Sequence, residues 1–437
     1  MLSHRRPQAL PAAVALTWVA YFAVLQWSVV RFRVPIVVVL TLCTLALAWW
    51  QWARPTATTL TARSAALALL LSAVVTATVP MFSYLPAPAR TAAVATFTLG
   101  SLVCAVLLLR PGPRTGALVG GVALATYLVS AVTAIVSDPA PRIDVWVTLQ
   151  QASDGLARGQ NMYAMVWTGS PGIQDAFTYL PWTAVLLAPG RWLAGDVRWA
   201  LLVWTLVAAS GLLLLGRGGL RDRAATWSAG PVVALLLLAP GTLTQVDQAW
   251  TEPLLLAGIV WWAVLVRQDR AWWAVIPLAL ACASKQHLAL LLPILLVWRP
   301  FGWRRTVATG GLTGALLLPW FLASPSDFVH DTISLLVSFH PIRFANTLYL
   351  LALNEFGVPL PFWLTGLVVL ATLAAIVAVV HRRQPDLPEL LRWLALMLLV
   401  ANIVNKQAFY NQFWLVAALV AASWATSAST SSVRKTG

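Results

Sequence analysis

Asp144 is the residue whose type and surroundings point most directly to chemistry. It follows a long apolar run and begins a segment in which apolar residues recur at helical spacing, namely Val145, Leu149, Ala152 and Leu156. A carboxylate at such a place can accept a proton from a hydroxyl group, as a general base does. The position also suits an Asp that merely caps the helix. Spacing alone leaves both interpretations open.

Lysine is rare in this arginine-rich chain, and its three positions are Lys285, Lys406 and Lys435. Lys285 stands between two short apolar runs, where a charge is costly and indicates a functional site. Its compact ammonium suits a phosphate group, whereas the alternative is a side chain that only reaches toward the membrane interface. We predict that Lys285 binds phosphate, and we make the same prediction for Lys406.

Further charged residues lie in segments of mixed polarity. We predict that Arg343 and His340 bind phosphate, although Arg343 also suits an anionic lipid head group. Asp247 and Glu252 flank the start of a helix and are candidates for binding hydroxyl groups; helix capping explains them equally well. We expect no metal site and no cofactor, because no close acidic pair stands out in the sequence.

Composition requires that lipid be part of the solvent for this chain. Of its 437 residues 60% are hydrophobic and 10% are charged, whereas soluble domains carry about 25% charged residues. The net charge of +15 does not indicate nucleic acid, because the arginines lie between apolar runs and not on one face. We therefore predict an all-α, polytopic bundle with about 14 membrane crossings and interfacial helices in its outer loops.

The placement of basic residues predicts the orientation. With the N-terminus in the cytoplasm, most short basic loops, including 217–223, and the basic C-terminus at 434–435 fall inside. About 10 of the 14 acidic residues then fall outside. The run 182–193 would reverse this pattern if it crossed, so we interpret it as interfacial or half-inserted. We expect a plasma-membrane protein whose chemistry lies on the extracytoplasmic face.

Three sequence motifs resemble a known family. They are IDVW at 143–146, GQNMY at 159–163 and FTYLP at 177–181. This pattern is similar to the first outer loop of GT-C membrane glycosyltransferases, most of all the actinobacterial polyprenol-phosphate-mannose-dependent mannosyltransferases of family 87. Five apolar runs precede Asp144, more than in the family. We therefore divide the chain into N-terminal transmembrane helices at 1–136, which look like an added module, and a catalytic region at 137–437 with outer loops 137–198 and 324–357.

The resemblance implies an activity and roles for residues. Such enzymes move a sugar from a polyprenyl phosphate to an extracytoplasmic lipid or glycan acceptor with inversion, and Asp144 matches their general base. The residues expected to contact sugar or acceptor are Asn161, Tyr163, Tyr179, Asp247, Glu252, Gln286 and His287. The alternatives are a transporter or flippase of lipid-linked sugars and a non-catalytic assembly partner. Transporters tend to show internal repeats, and none is obvious here.

Overall fold

The structure, a computed structural model, describes residues 9–53, 60–110, 112–216 and 229–433. These ranges contain helices and no strand. The predicted all-helical class is therefore confirmed for this part of the chain. The basic loop at 217–223 and the basic C-terminus at 434–435 lie outside the described residues.

Long helices alternate with groups of short ones. The helices before the first outer loop are α1 Ala9–Ser28, α2 Val34–Ala53, α3 Ala62–Thr78, α4 Ala87–Leu109 and α5 Thr115–Ser137. The first outer loop and the following span contain α6 Asp144–Ala157, a 3-10 helix at Met162–Ala164, α7 Trp182–Ala194 and α8 Val197–Leu215. The central region contains α9 Gly230–Leu237, α10 Thr244–Asp247, α11 Glu252–Arg267, α12 Val275–Cys282, a 3-10 helix at Gln286–Leu291, α13 Leu292–Val297 and α14 Gly302–Ala323.

The second outer loop also consists of short helices. These are α15 Pro325–Val329, a π-helix at His330–Ser334, α16 Leu335–Ser338 and α17 Leu348–Phe356. Three long helices complete the chain, namely α18 Phe362–Arg383, α19 Leu387–Val404 and α20 Tyr410–Val433.

Among the described helices, seven are long and apolar enough to cross a membrane: α2, α4, α5, α8, α14, α18 and α19. The multi-pass prediction is thus confirmed, but the prediction of about 14 crossings is not supported. Three of the predicted crossings fall on α9, α12 and α13, which have 8, 8 and 6 residues. At 1.5 Å per residue, each spans only about 9–12 Å of a hydrocarbon core about 30 Å thick. Each of these predicted runs is longer than the α-helix that the structure describes within it.

The N-terminal helices pack into the main core, in which one cluster of buried apolar residues extends from Ala15 to Ala425, while a second cluster lies around the first outer loop. The Tyr21 hydroxyl donates to the Phe413 carbonyl at 2.8 Å, which joins α1 to α20. Arg392 on α19 donates to Gln51 Oε1 on α2 at 2.9 Å. Helices before and after residue 136 therefore pack together, and the division of the chain at 136 stays a prediction.

Candidate functional site

Asp144 is the first residue of α6. The N-cap is Ile143, whose extended backbone (φ −129°, ψ 138°) leads into the helix. The capping interpretation of Asp144 is therefore wrong. Its Oδ1 accepts a hydrogen bond from the Val145 amide at 2.8 Å, which holds the carboxylate at the N-terminus of the helix.

The loop after α6 passes directly over this carboxylate at Gly172. A Cβ on Gly172 would lie 2.6 Å from Asp144 Oδ2, so only glycine fits without a shift. This cover contributes to burial of the acid, and burial raises the pKa of Asp144 above its ordinary value. A raised pKa makes a carboxylate a stronger base once it is ionised.

Two ion pairs fix α6 and its neighbours. Asp154 on α6 pairs with Arg191 on α7 at 2.8 Å. Asp196 pairs with the fully buried Arg198 on α8 at 2.7 Å, and Trp146 of α6 donates to the same Asp196 carboxylate at 3.1 Å. The helix that presents Asp144 is therefore tied to both α7 and α8.

The predicted surface helix, α6, ends just before Gly159, as the sequence predicts. Gly159 adopts φ +69°, a left-handed conformation that favours glycine and reverses the chain after α6. Asn161 then caps the next short helix by accepting from the Tyr163 amide at 3.2 Å. The Tyr163 hydroxyl is buried and donates to the Tyr179 carbonyl at 2.9 Å. Asn161 and Tyr163 thus hold the loop that contains Tyr179.

The segment containing Tyr179 lies against the break between α12 and the 3-10 helix. The Leu180 amide donates to the Ser284 carbonyl at 3.3 Å, and the Thr183 hydroxyl donates to the same oxygen at 2.6 Å. Gln286 donates from its Nε2 to the Thr178 carbonyl at 3.0 Å. These bonds set Tyr179 beside Lys285, whose Nζ lies 5.5 Å from the tyrosine ring centroid.

Lys285 occupies a gap between helices, as the sequence predicts. Its backbone is extended (φ −149°, ψ 129°) between the end of α12 and the start of the 3-10 helix. Its ammonium contacts Glu252 Oε1 and donates to Thr251 Oγ1 at 3.2 Å. An ammonium has three N–H donors, and the residues that the structure describes accept from two of them, which leaves a third that a ligand could use. Sequence analysis treated Glu252 and Lys285 separately and did not foresee their contact. His287, two residues further on, is half-buried.

Electrostatics connects Asp144 with this cluster. Tyr179 lies close enough to both Asp144 and Glu252 that their charges raise the pKa of its phenol, although burial is the larger cause. We call Asp144, Tyr179, Glu252 and Lys285 the first-loop cluster. In this cluster Lys285 lies near the ring of Tyr179, and the charge of Asp144 acts on the phenol of the same residue.

Asp247 is the last residue of α10, in the segment of short turns between α9 and α11. Buried within this segment, Ala249 has φ +52°, a left-handed conformation that is strained for a residue with a Cβ. Burial raises the pKa of the Asp247 carboxyl to about 6. Its Oδ2 accepts from the Tyr84 amide at 3.3 Å, while Oδ1 is buried without a partner among the described residues.

Tyr84 is a residue that sequence analysis missed. It lies in the short turn between α3 and α4, and its phenol is affected by the charges of Asp144 and Asp247. The available signal was a tyrosine in a turn bounded by Pro80 and Pro86. Its proximity to the acids depends on packing between distant parts of the chain, which no local pattern shows.

The other predicted phosphate-binding residues lie apart, in the second outer loop or in contact with it. Lys406 donates to the carbonyls of Val337 (2.8 Å) and Phe339. Arg343 is exposed, and its Nη1 lies 3.5 Å from Asn354 Oδ1. His340 is exposed and packs on Phe339 with ring centroids 4.2 Å apart. We call Arg343 and Lys406, which contacts this loop from the turn between α19 and α20, the second-loop cations.

The outer loops contact each other directly and through Gln286, which also donates to Thr178 of the first loop. Asp331 accepts from the Phe177 amide at 2.7 Å, and Gln286 donates to the Thr332 carbonyl at 3.3 Å. Among the residues that the structure describes, no hydrogen bond or ion pair joins a second-loop cation to Asp144 or Lys285.

Comparison with known protein families shows the family to which the chain belongs. The family model for glycosyltransferase family 87 matches residues 177–404, more than half of the chain. The chain belongs to glycosyltransferase family 87. No curated protein matches it. The predicted resemblance is thereby confirmed at the level of the family and its enzyme class, which favours a glycosyltransferase over a transporter.

The matched range of this family 87 glycosyltransferase includes Tyr179, Asp247, Glu252 and Lys285. It begins after Asp144, which therefore depends on its position in the structure and not on the family match. The glycosyltransferase is a multi-pass membrane protein with seven candidate spans in its described part.

Proposed function

We propose that this glycosyltransferase moves a sugar, mannose as the first candidate, from a polyprenyl phosphate to a hydroxyl of an extracytoplasmic lipid or glycan acceptor. One observation carries the proposal: Asp144 and Lys285 both act on Tyr179, with Lys285 Nζ 5.5 Å from the ring and the Asp144 carboxylate close enough to raise the pKa of the phenol. Sugar transfer with inversion needs a base on one side of the sugar and a cation on the other.

On the acceptor side, Asp144 acts as the general base. The acceptor oxygen attacks the anomeric carbon from the face opposite the phosphate, while its proton passes to Asp144. The carbon–oxygen bond to the phosphate breaks and its electron pair stays on the departing phosphate. One displacement of this kind inverts the anomeric centre. Asp247 and Glu252 then serve acceptor or sugar hydroxyls, together with Tyr179, Gln286 and His287, whereas Asn161 and Tyr163 position the loop.

On the donor side, Lys285 stabilises the phosphate as negative charge grows on it. The ammonium keeps one N–H beyond those used by Glu252 and Thr251. A fixed donor aimed at developing charge is worth about 2.7–4 kcal/mol in comparable sites. The second-loop cations would attract the anionic donor from the membrane surface, where Arg343 is exposed, and the exposed His340 would offer the phosphate a hydrogen bond.

We also propose an orientation of the chain in the membrane. We place both termini in the cytoplasm and both outer loops on the extracytoplasmic side, following the basic short loops. Lipid-linked donors present their sugar at that surface, where the first-loop cluster would meet it.

Reconstituted protein tests the proposal. Purified enzyme in lipid vesicles would receive radiolabelled polyprenyl-phosphate mannose and octyl α-mannoside as a synthetic acceptor. We expect transfer by the wild type and a loss of about 10²- to 10⁴-fold in kcat for Asp144→Asn, since general-base catalysis contributes that much. Asp175→Asn is the matched control, because Asp175 is an exposed acid in the same outer loop.

Two results would contradict the proposal. One is transfer by Asp144→Asn at the wild-type rate. The other is movement of the sugar lipid across the vesicle membrane without transfer, which would favour a flippase.

A further inference from the structure

The turn between α3 and α4 brings polar side chains from the N-terminal helices to the site. Pro80 and Pro86 bound this segment, and their fixed φ favours an extended turn. Leu85 is buried and anchors the turn in the core. Phe82 packs edge-on against Tyr84 with ring centroids 5.1 Å apart, so the tyrosine ring has a defined orientation. These contacts give the turn a defined structure.

This turn binds Asp247 through one carboxylate oxygen. The Tyr84 amide donates to Asp247 Oδ2 at 3.3 Å, and the Ser83 hydroxyl also favours the ionised carboxylate. The other oxygen, Oδ1, is buried and has no partner among the described residues. A buried acceptor atom without a donor costs about 1–3 kcal/mol, so a ligand hydroxyl that donated to it would be stabilised.

Tyr84 adjoins Asp247, because its amide donates to that carboxylate, and the charges of further residues act on its phenol. It is half-buried, and the charges of Asp144, Asp247, Arg142 and Asp138 all act on it. Burial, the largest cause, and these acids raise the pKa of the phenol, so it stays protonated at neutral pH. A protonated phenol both donates and accepts hydrogen bonds, which suits a polyhydroxyl ligand.

The family match begins at residue 177, so Tyr84 lies in a part of the chain that the family model does not include. We infer that Tyr84 is an acceptor-positioning residue, which contacts a hydroxyl of a glycan acceptor bound beside Asp247. The N-terminal helices then supply one wall of the acceptor site and help to set which glycan enters. This inference rests on the proposed sugar transfer.

The decisive variant is Tyr84→Phe in the full-length protein. It removes one hydroxyl while it keeps the ring that packs on Phe82 and the amide that binds Asp247. We expect the KM for octyl α-mannoside to rise about 3- to 12-fold, the loss of one neutral hydrogen bond. The KM for polyprenyl-phosphate mannose stays unchanged. Tyr349→Phe, in α17 of the second outer loop, is the matched control.

A binding experiment without donor separates this inference from the proposed reaction. Equilibrium binding of octyl α-mannoside to enzyme in lipid nanodiscs should weaken by the same factor in Tyr84→Phe and stay unchanged in Tyr349→Phe. Absence of transfer by the wild type would sink the proposed function but leave this measurement valid. Equal binding by Tyr84→Phe and wild type, equal changes in the two KM values, or no binding by wild type would each overturn the inference.

Discussion

The cation of the first-loop cluster and the cation in the second outer loop are held in opposite ways. In the first-loop cluster, Lys285 is mostly buried, with 11% of its side chain exposed, and contacts Glu252, Thr251 and the Tyr179 ring. In the second loop, Arg343 is exposed, and the contact of its Nη1 with Asn354 Oδ1, at 3.5 Å, is weak. The difference separates a charge fixed in position from a charge on a solvated surface.

That difference matters because the two kinds of charge do different work. A charge that is already oriented need not be reorganised when a leaving group becomes negative, so it stabilises the transition state. An exposed arginine is screened by salt and contributes mainly to attraction over longer distances. Lys406 is intermediate, because backbone carbonyls of the second loop already occupy its ammonium.

The sharpest test of the comparison sets the two lysines against each other. We expect Lys285→Met to lower kcat/KM for the donor by about 10²- to 10³-fold, as removal of one oriented donor does elsewhere. Lys406→Met should change it by about threefold or less. Because Lys285→Met leaves Glu252 buried without its partner, the double variant Lys285→Met with Glu252→Gln serves as a second test, with folding checked by thermal unfolding. Equal losses at both lysines would break the comparison.

A second prediction concerns the loop that covers Asp144. The added methyl of Gly172→Ala would fall 2.6 Å from Asp144 Oδ2 and displace either the loop or the acid. A displacement of about 1 Å costs up to about 10²-fold in rate, so we expect kcat to fall about 10- to 100-fold. Gly121→Ala is the control, since nothing lies within 4 Å of the added atom there. A wild-type kcat for Gly172→Ala would show that the cover does not position the base.

Local patterns were enough to predict part of this site. The helix that begins at Asp144 follows from apolar spacing, and Gly159 indicates its end. The break at Lys285 follows from polar residues between two apolar runs. Each of these features depends on residues within a few turns of one another, where sequence and structure are directly linked.

The remaining features depend on long-range packing. Tyr84 meets Asp247, Gly172 meets Asp144 and Lys285 meets Glu252 only because helices from distant parts of the chain pack together. Hydropathy also overestimated the number of crossings, because an averaged apolar run does not reveal that α9 or α12 ends after eight residues. Contacts of this kind can be found only from coordinates or from covariation.

A third prediction uses the pKa of Asp247, which burial raises to about 6. An acceptor hydroxyl can donate to this carboxyl when it is ionised, above pH 6. As the pH falls from 7 to 5 the ionised fraction drops about tenfold, so the KM for octyl α-mannoside should rise by about that factor. The KM measured for Asp247→Asn should show no such change over this range. A wild-type KM that stays flat would exclude Asp247 from acceptor binding.

The smallest expected effect is that of Arg343→Gln. Its dependence on salt distinguishes long-range attraction of the donor from catalysis. Arg343→Gln removes a charge that is solvated and weakly bonded, so we expect kcat/KM for the donor to fall about threefold or less at low salt. Because a Debye length is about 3 Å at 1 M salt, the difference from wild type should vanish there. The loss in Lys285→Met should persist at high salt, since that ammonium is partly shielded from solvent. A large, salt-independent loss in Arg343→Gln would instead mean that the second loop closes over the donor, with Arg343 in direct contact with its phosphate.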